Sequence, residues 1–483
     1  AGAVAAGREQ GLRRSLGQGL SIPAGAGGGV ASAPRPRSSP PAPRKGRWRL
    51  ACRAPWVAAV VLALGLAIPP AALSQPPEPP QLSAQARAVF EAARDKLLQI
   101  RIVERSTQAQ ATIGSGWVAG ADGRVVTNYH VVSRYVTEPE RYHVEFVRGD
   151  GSVGPLEVLA VDVVEDLAVA RMAGRGLPAF ALAEGELRKG DRGFAMGNPH
   201  DLGLTIVEGT HNGLVENTLA ERFHFTGAIN EGMSGGPAVT PEGHVYGVNV
   251  AKMRDNNLVS FLVPARFVGA LLARAPAAPP QAEALRASVA RQVLERQEKL
   301  LAGVFGQPIP ASVMGRYSVP DSLGSFMRCW GDTTTERSKP YVSTYKVCDA
   351  QASLFLSDEL DTGGLAFGHV LLSSAKLDAL RFSTLLEQTW ANVPSVNSSG
   401  TSEDLTAMRC RERFVRSASG TVRAALCLRA YRRLEGIYDL RLKLVTLEPR
   451  REALVSWLSA DGLSMNNALE LSRRYLDAVR WKP

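Results

Sequence analysis

The spacing of apolar and polar positions divides this chain into stretches of different period. From Ala84 to Gln99, Val89, Phe90, Ala93, Leu97 and Leu98 recur at helical spacing and predict a helix. From Ile100 to about Leu272 the pattern breaks into short β-branched runs separated by Gly, Asn and Asp, among them Thr112–Val118, Arg124–Thr127, Tyr142–Val147 and Val245–Val250. Many short strands at such spacing predict an all-β barrel or sandwich. A Pro/Ala stretch, Ala275–Pro280, marks a boundary, and Ala282–Val304 then reads as a connecting helix with Leu285, Val289, Val293, Leu294, Leu300 and Leu301 on its apolar side. That side predicts packing, not a membrane or partner surface. From about Pro308 strands are expected at Tyr341–Phe355, Leu365–Leu372, Leu405–Val415, Thr421–Tyr431 and Ile437–Leu447, and helices at Ala375–Trp390, Arg450–Leu458 and Ser464–Val479. This is a mixed α+β pattern.

At 483 residues the chain is too long for one compact core, and its hydrophobic content suffices for two. The expected organisation is a disordered leader and export signal (1–74), a Pro-rich spacer (75–83), a β-rich domain (84–272), a linker with connecting helix (273–307) and an α+β domain of unknown function (308–483). The formal charge of +10 changes meaning once it is located. Residues 1–74 hold ten Lys/Arg against the single acid Glu9, so the leader carries +9 and the rest only +1. A general nucleic-acid-binding surface has no support. The basic stretch ends at Arg53, the apolar run Trp56–Ile68 follows, and Ala72-Leu73-Ser74 fits a cleavage site, as in an export signal. The alternative is an uncleaved inner-membrane anchor at residues 54–74, shortened by Pro69-Pro70.

Cys52 lies in the leader, leaving Cys329, Cys348, Cys410 and Cys427. An even set in an exported chain favours disulfides over buried thiols. Of the three pairings, Cys329–Cys348 with Cys410–Cys427 is preferred because each pair flanks what reads as one hairpin. No Cys-x-x-Cys accompanies them, and His143, His200, His211, His224, His244 and His369 show no ligand spacing. No metal and no cofactor are expected.

Three segments of the β-rich region carry chemistry in order: Thr127-Asn-Tyr-His-Val-Val132, Glu165-Asp-Leu-Ala-Val-Ala170 and Asn230-Glu-Gly-Met-Ser-Gly-Gly-Pro237. Acyl transfer by a serine needs a base for the hydroxyl proton, an acid to orient that base, and donors for the tetrahedral oxyanion. Ser234 is the expected nucleophile, His130 the general base and then acid, and Asp166 the residue that holds its tautomer. Glycines on both sides of Ser234 allow a sharp turn, which predicts the N–H groups of Gly232 and Ser234 as the oxyanion donors.

On these segments, with Gly114-Ser-Gly-Trp-Val118 and Gly197-Asn-Pro199, the stretch from about Ser115 to Pro264 resembles the trypsin-like serine peptidases of the bacterial HtrA (Deg) type. The resemblance implies a chymotrypsin-like double β-barrel, peptide-bond hydrolysis, and unfolded or exposed protein segments as substrate. With the signal, it implies a periplasmic or cell-envelope location. Two departures stand out. Met233 replaces the usual Asn before the serine, and no recognisable PDZ domain follows Pro280. In the wider chymotrypsin class the residue six before the nucleophile floors the primary pocket; here it is Ala228. With Asn249, Val250 and Ala251 as the wall, the resemblance implies preference for small or medium apolar residues. Two other classes compete: a peptidase fold without turnover whose C-terminal domain binds an envelope partner, and an esterase, whose usual residue order Ser, Asp, His differs from that found here.

Overall fold

The computed structural model describes residues 84–216, 219–250, 260–334, 336, 338–350, 353–392, 399–417, 420–447 and 451–481. The expected leader (1–74), the alternative anchor (54–74), the spacer (75–83) and Ala251 lie outside the described residues. Among the described residues no helix is long and apolar enough to cross a membrane.

Helix α1 (Ala84–Ala93) buries Ala86, Val89 and Ala93, and after one 3-10 turn at Arg94–Lys96 the chain enters strand β1 (Leu97–Glu104). The helix expected to reach Gln99 therefore stops early. Leu97 and Leu98 point to opposite faces of β1 and are buried in different apolar clusters, so two adjacent apolar residues at the start of the strand continue the spacing of the preceding helix.

Strands β2 (Gln110–Val118) and β3 (Arg124–Thr127), helix α2 (Tyr129–Thr137), and strands β4 (Tyr142–Val147), β5 (Val153–Pro155), β6 (Glu157–Asp162) and β7 (Leu167–Arg171) follow. The strands form a seven-stranded sheet ordered β5-β4-β1-β2-β3-β7-β6. Its two edge strands are consecutive in the chain with Leu156 between them, so the sheet curls round without closing. Next, β8 (Arg192–Gly197), β9 (Thr205–Leu214), β10 (Phe223–Phe225), β11 (Pro237–Val239), β12 (Val245–Val250) and β13 (Ser260–Pro264) close a barrel ordered β10-β13-β12-β11-β8-β9. The expected double barrel is thus one closed barrel and one curled, open sheet.

After α3 (Ala265–Arg274), the connecting helix α4 (Ala282–Phe305) serves two cores. Leu285, Val289, Ala290 and Val293 are buried in the cluster that holds Tyr129, Val131 and Val132 of α2, whereas Leu301 and Val304 belong to the cluster of the C-terminal sheet. Beyond it come β14 (Ala311–Met314), β15 (Tyr317–Pro320), β16 (Met327–Thr334), β17 (Val342–Ala350), a hairpin of β18 (Leu354–Ser357) and β19 (Leu360–Thr362), and β20 (Leu365–Ser373). Helix α5 (Ala379–Ala391), β21 (Arg409–Ser417), β22 (Gly420–Ala430), β23 (Tyr438–Thr446), β24 (Glu452–Leu463), α6 (Met465–Ala478) and β25 (Arg480–Trp481) complete the order. A second seven-stranded sheet runs β16-β17-β20-β24-β23-β22-β21.

Four expectations need correction here. The helix expected at Arg450–Leu458 is strand β24, which is central in the sheet and buried along both faces, so it lacks the alternation that marks a half-exposed strand. The strand expected at Tyr341–Phe355 is split into β17 and β18, which belong to different sheets. The strand expected from Leu405 starts at Arg409, Leu405 making only an isolated bridge to Tyr431. The helix expected from Ala375 starts at Ala379, where the Asp378 side chain accepts from Arg381 N and caps it. The cysteines pair as preferred: Cys329–Cys348 joins facing residues of β16 and β17, and Cys410–Cys427 those of β21 and β22.

His369 on β20 is fully buried between Pro320 O (3.0 Å from Nε2) and Ser456 Oγ (2.9 Å from Nδ1). A carbonyl can only accept, so Nε2 carries the hydrogen. Burial foremost holds its pKa down to about 3. The unfolded chain protonates this ring below about pH 6.5, so its contribution is complete above that pH and is lost as pH falls toward 3, at about 1.4 kcal/mol per unit. Urea unfolding at pH 7 and pH 5 is expected to show His369→Gln losing about 2 kcal/mol less than the parent over this interval.

Candidate active site

The site begins with a constraint on Asp166. It ends the turn between β6 and β7 in the left-handed region, φ +60°, which few non-glycine residues adopt. That conformation is held from several sides. Asp166 Oδ1 accepts from His130 N (2.9 Å), Oδ2 lies 2.7 Å from His130 Nδ1, and Asp166 O accepts from Asn128 Nδ2 (2.7 Å). A carboxylate only accepts, so Nδ1 carries a hydrogen, and in the neutral ring Nε2 keeps its lone pair. Next to it, Glu165 pairs with Arg222 at 2.9 Å; burial pushes the Glu165 carboxyl up against the pull of that guanidinium. His130 occupies the second position of α2, and the preceding residue, Tyr129, is buried with its hydroxyl on Leu356 O (2.9 Å).

Ser234 lies in the loop between β10 and β11, flanked by Gly232 (φ +89°) and Gly235 (φ +84°). A Cβ at Gly235 would lie 2.3 Å from both Ser115 O and Thr127 Oγ1, and one at Gly232 would lie 2.5 Å from Asn198 O. Both positions therefore need glycine for space and for conformation. The same close approach brings the serine loop against the backbone that leads into His130. Ser115 joins them: its N donates to Ser234 O (2.8 Å), its Oγ donates to Gly232 O (2.7 Å), and that Oγ accepts from Asn198 N (2.8 Å).

The orientation of two peptides follows from their carbonyls. Glu231 O accepts from His200 N (3.1 Å), and Met233 O accepts from Gly236 N (3.1 Å) and Asn249 Nδ2 (3.3 Å). In a trans peptide N–H and C=O point in opposite directions, so the Gly232 and Ser234 N–H groups are turned away from those partners. Met233 itself is fully buried among Phe223, Phe225, Tyr246 and Leu262. An apolar side chain suits this surrounding, where an amide would need partners.

The expected pocket residues are placed less uniformly. Ala228 is exposed beside the serine loop and Val250 is half-buried on β12. Asn249 is fully buried, its Nδ2 donating to Met196 O (2.8 Å) and Met233 O, so its side chain braces the serine loop. Sequence reasoning gave no role to Asn128, Ser115 or Asn198, although all three lie inside segments it singled out. Phe355 had no local signal: its ring stands edge-on to the His130 ring, centroids 6.0 Å apart at 83°. Among the described residues no group of three or more His, Cys, Asp or Glu is placed to hold a metal ion.

Residues 114–248 match the sequence model of the family described as the trypsin-like peptidase domain. The putative serine protease HhoB of Synechocystis sp. is 33% identical over 160 residues, which are 31% of this chain and 37% of that protein. The probable periplasmic serine endoprotease DegP-like of Chlamydia pneumoniae is 35% identical over 154 residues, 31% of this chain and 30% of that protein. A solved structure, the serine endoprotease from Yersinia pestis, aligns over 40% of this chain and 67% of its own, at 22% identity and a TM-score of 0.35. The chain thus spans only about a third of the length of these curated relatives.

Ser115→Ala removes both bonds of the Oγ while leaving its N–H in place. It is expected to cost about 1–3 kcal/mol in urea unfolding, the penalty for stranding buried partners.

Proposed function

We propose, on the premise that residues 114–248 are a trypsin-like peptidase domain of the HtrA type, that this chain is an exported serine endopeptidase. His130, Asp166 and Ser234 are its triad. The observation that carries this reading is the two-point grip of one carboxylate on His130, through backbone N and ring Nδ1, beside a serine loop tied to the same backbone by Ser115.

In the proposed reaction His130 Nε2 takes the Ser234 hydroxyl proton as Oγ attacks the scissile carbonyl carbon. The negative charge moves to the carbonyl oxygen, which the Gly232 and Ser234 N–H groups receive. Imidazolium, stabilised by Asp166, returns the proton to the leaving amine as the C–N bond breaks. Water then attacks the acyl-enzyme with His130 again as base, releasing the new carboxylate and restoring Ser234. The carbonyls of Glu231 and Met233 are already engaged elsewhere, which supports an oxyanion site needing little rearrangement.

The substrate is a polypeptide, with unfolded envelope proteins as the proposed class. Exposed Ala228 and half-buried Val250 support an apolar, uncharged primary pocket for Ala, Val or Leu side chains. A periplasmic or envelope location is supported by the leader and by the Chlamydia relative, which is named as a probable periplasmic endoprotease. We assign residues 84–272 to the peptidase domain, 273–307 to the linker and 308–483 to the C-terminal domain.

The test is cleavage of an unfolded protein and labelling by a fluorophosphonate, with the disulfides formed. The parent is expected to do both, Ser234→Ala neither, and Asp166→Asn to lose about 10⁴-fold in turnover. A folded parent that neither cleaves nor labels between pH 6 and 9 would contradict the reading.

A further inference from the structure

Two segments downstream of residues 114–248 reach the histidine and aspartate of the proposed site from different sides. The first is the β18–β19 hairpin. Besides meeting His130, Phe355 stands edge-on to Tyr129, centroids 6.5 Å apart at 71°. Such edge-to-face pairs favour one ring orientation over its neighbours. The hairpin is anchored there by Leu356 O, which accepts from Tyr129 Oη, by Asp358 paired with Arg134 of α2 at 2.8 Å, and by Leu354, Leu356 and Leu360, buried with Val131, Val132 and Val136. Phe355 has little freedom to leave the imidazole.

The second is α4. Gln292 holds the chain just before Asp166 by two backbone bonds: Oε1 accepts from Val163 N and Nε2 donates to Val161 O, each at 2.9 Å. A side-chain amide with both ends used in this way imitates a neighbouring strand. It fixes the entry to a turn whose last residue has φ +60°. A conformation of that kind persists only where its surroundings over-determine it.

We infer that the C-terminal half of this chain is a built-in positioning element for the peptidase site, with Phe355 setting the His130 ring and Gln292 setting the Asp166 turn. The inference rests on the serine-peptidase reading above. Neither residue reacts with substrate. Both act on turnover through the geometry of the His130–Asp166 pair, and a misplacement of about 1 Å in such a pair is enough to cost up to 10²-fold.

The test measures kcat and KM on a fluorogenic apolar peptide, with the fluorophosphonate labelling rate at Ser234, for the full exported chain and for Phe355→Ala, Phe355→Tyr and Gln292→Met. For Phe355→Ala and Gln292→Met, kcat and labelling rate are expected to fall by about tenfold or more with KM unchanged. Phe355→Tyr, which keeps the ring, is expected to restore the parent rate. Gln292→Met keeps the length of the side chain and decides the matter if Phe355→Ala does not fold. A parent that neither labels nor cleaves overturns the peptidase reading and this inference with it. An active parent whose folded variants keep kcat, or lose only KM, overturns this inference alone.

Discussion

Both oxygens of the Asp166 carboxylate are taken by one residue, His130, through its backbone N–H and its ring. Asp166 makes that double contact from a left-handed backbone, a conformation that costs about 1–3 kcal/mol for a non-glycine residue. The surroundings offset this cost. Asn128 reaches across to the Asp166 carbonyl, Arg222 pairs with the adjoining Glu165, and Gln292 fixes the peptides just upstream. The two side chains are only 15% and 17% exposed, so their charge-assisted bond is sheltered from the screening that makes surface pairs weak.

What holds the histidine is not confined to the β-rich half. The apolar cluster under α2 includes Leu98 and Ile100 of the first sheet, Leu285 and Val289 of α4, and Leu354, Leu356, Tyr431 and Ile437 from the C-terminal half. An appended module would meet its neighbour through a surface more polar than a shared core. Here a hairpin contributes buried leucines to the same cluster as the histidine-bearing helix. The serine loop is held by the N–H and the hydroxyl of Ser115, on β2 of the first sheet, and by Asn249 of the closed barrel beneath it. The serine loop thus rests on both the first sheet and the closed barrel.

The parts of the candidate site legible in the sequence were those set by short range. His130, Asp166 and Ser234 each sit in a segment whose neighbours have a local task, such as the glycines that leave room for Ser115 O and Asn198 O. The disulfides were legible because each pair spans one hairpin, the facing register seen in β16–β17 and β21–β22. Strand β24 was misread because burial on both faces erases the period of two, and Leu97 because it lies between two cores. Phe355 was invisible for another reason. Tyr129 and Leu356, which bring the hairpin to the helix, are 227 residues apart, and no local pattern encodes such a contact.

The most direct measurement is a crystal structure of the chain inhibited by a peptidyl phosphonate with an apolar first residue. The account predicts phosphorus bonded to Ser234 Oγ, with one phosphoryl oxygen about 2.7–3.1 Å from the N atoms of both Gly232 and Ser234. It also predicts His130 still gripped at both contacts by Asp166. An adduct on another residue, or on Ser234 with its oxygen turned away from both N–H groups, would contradict it.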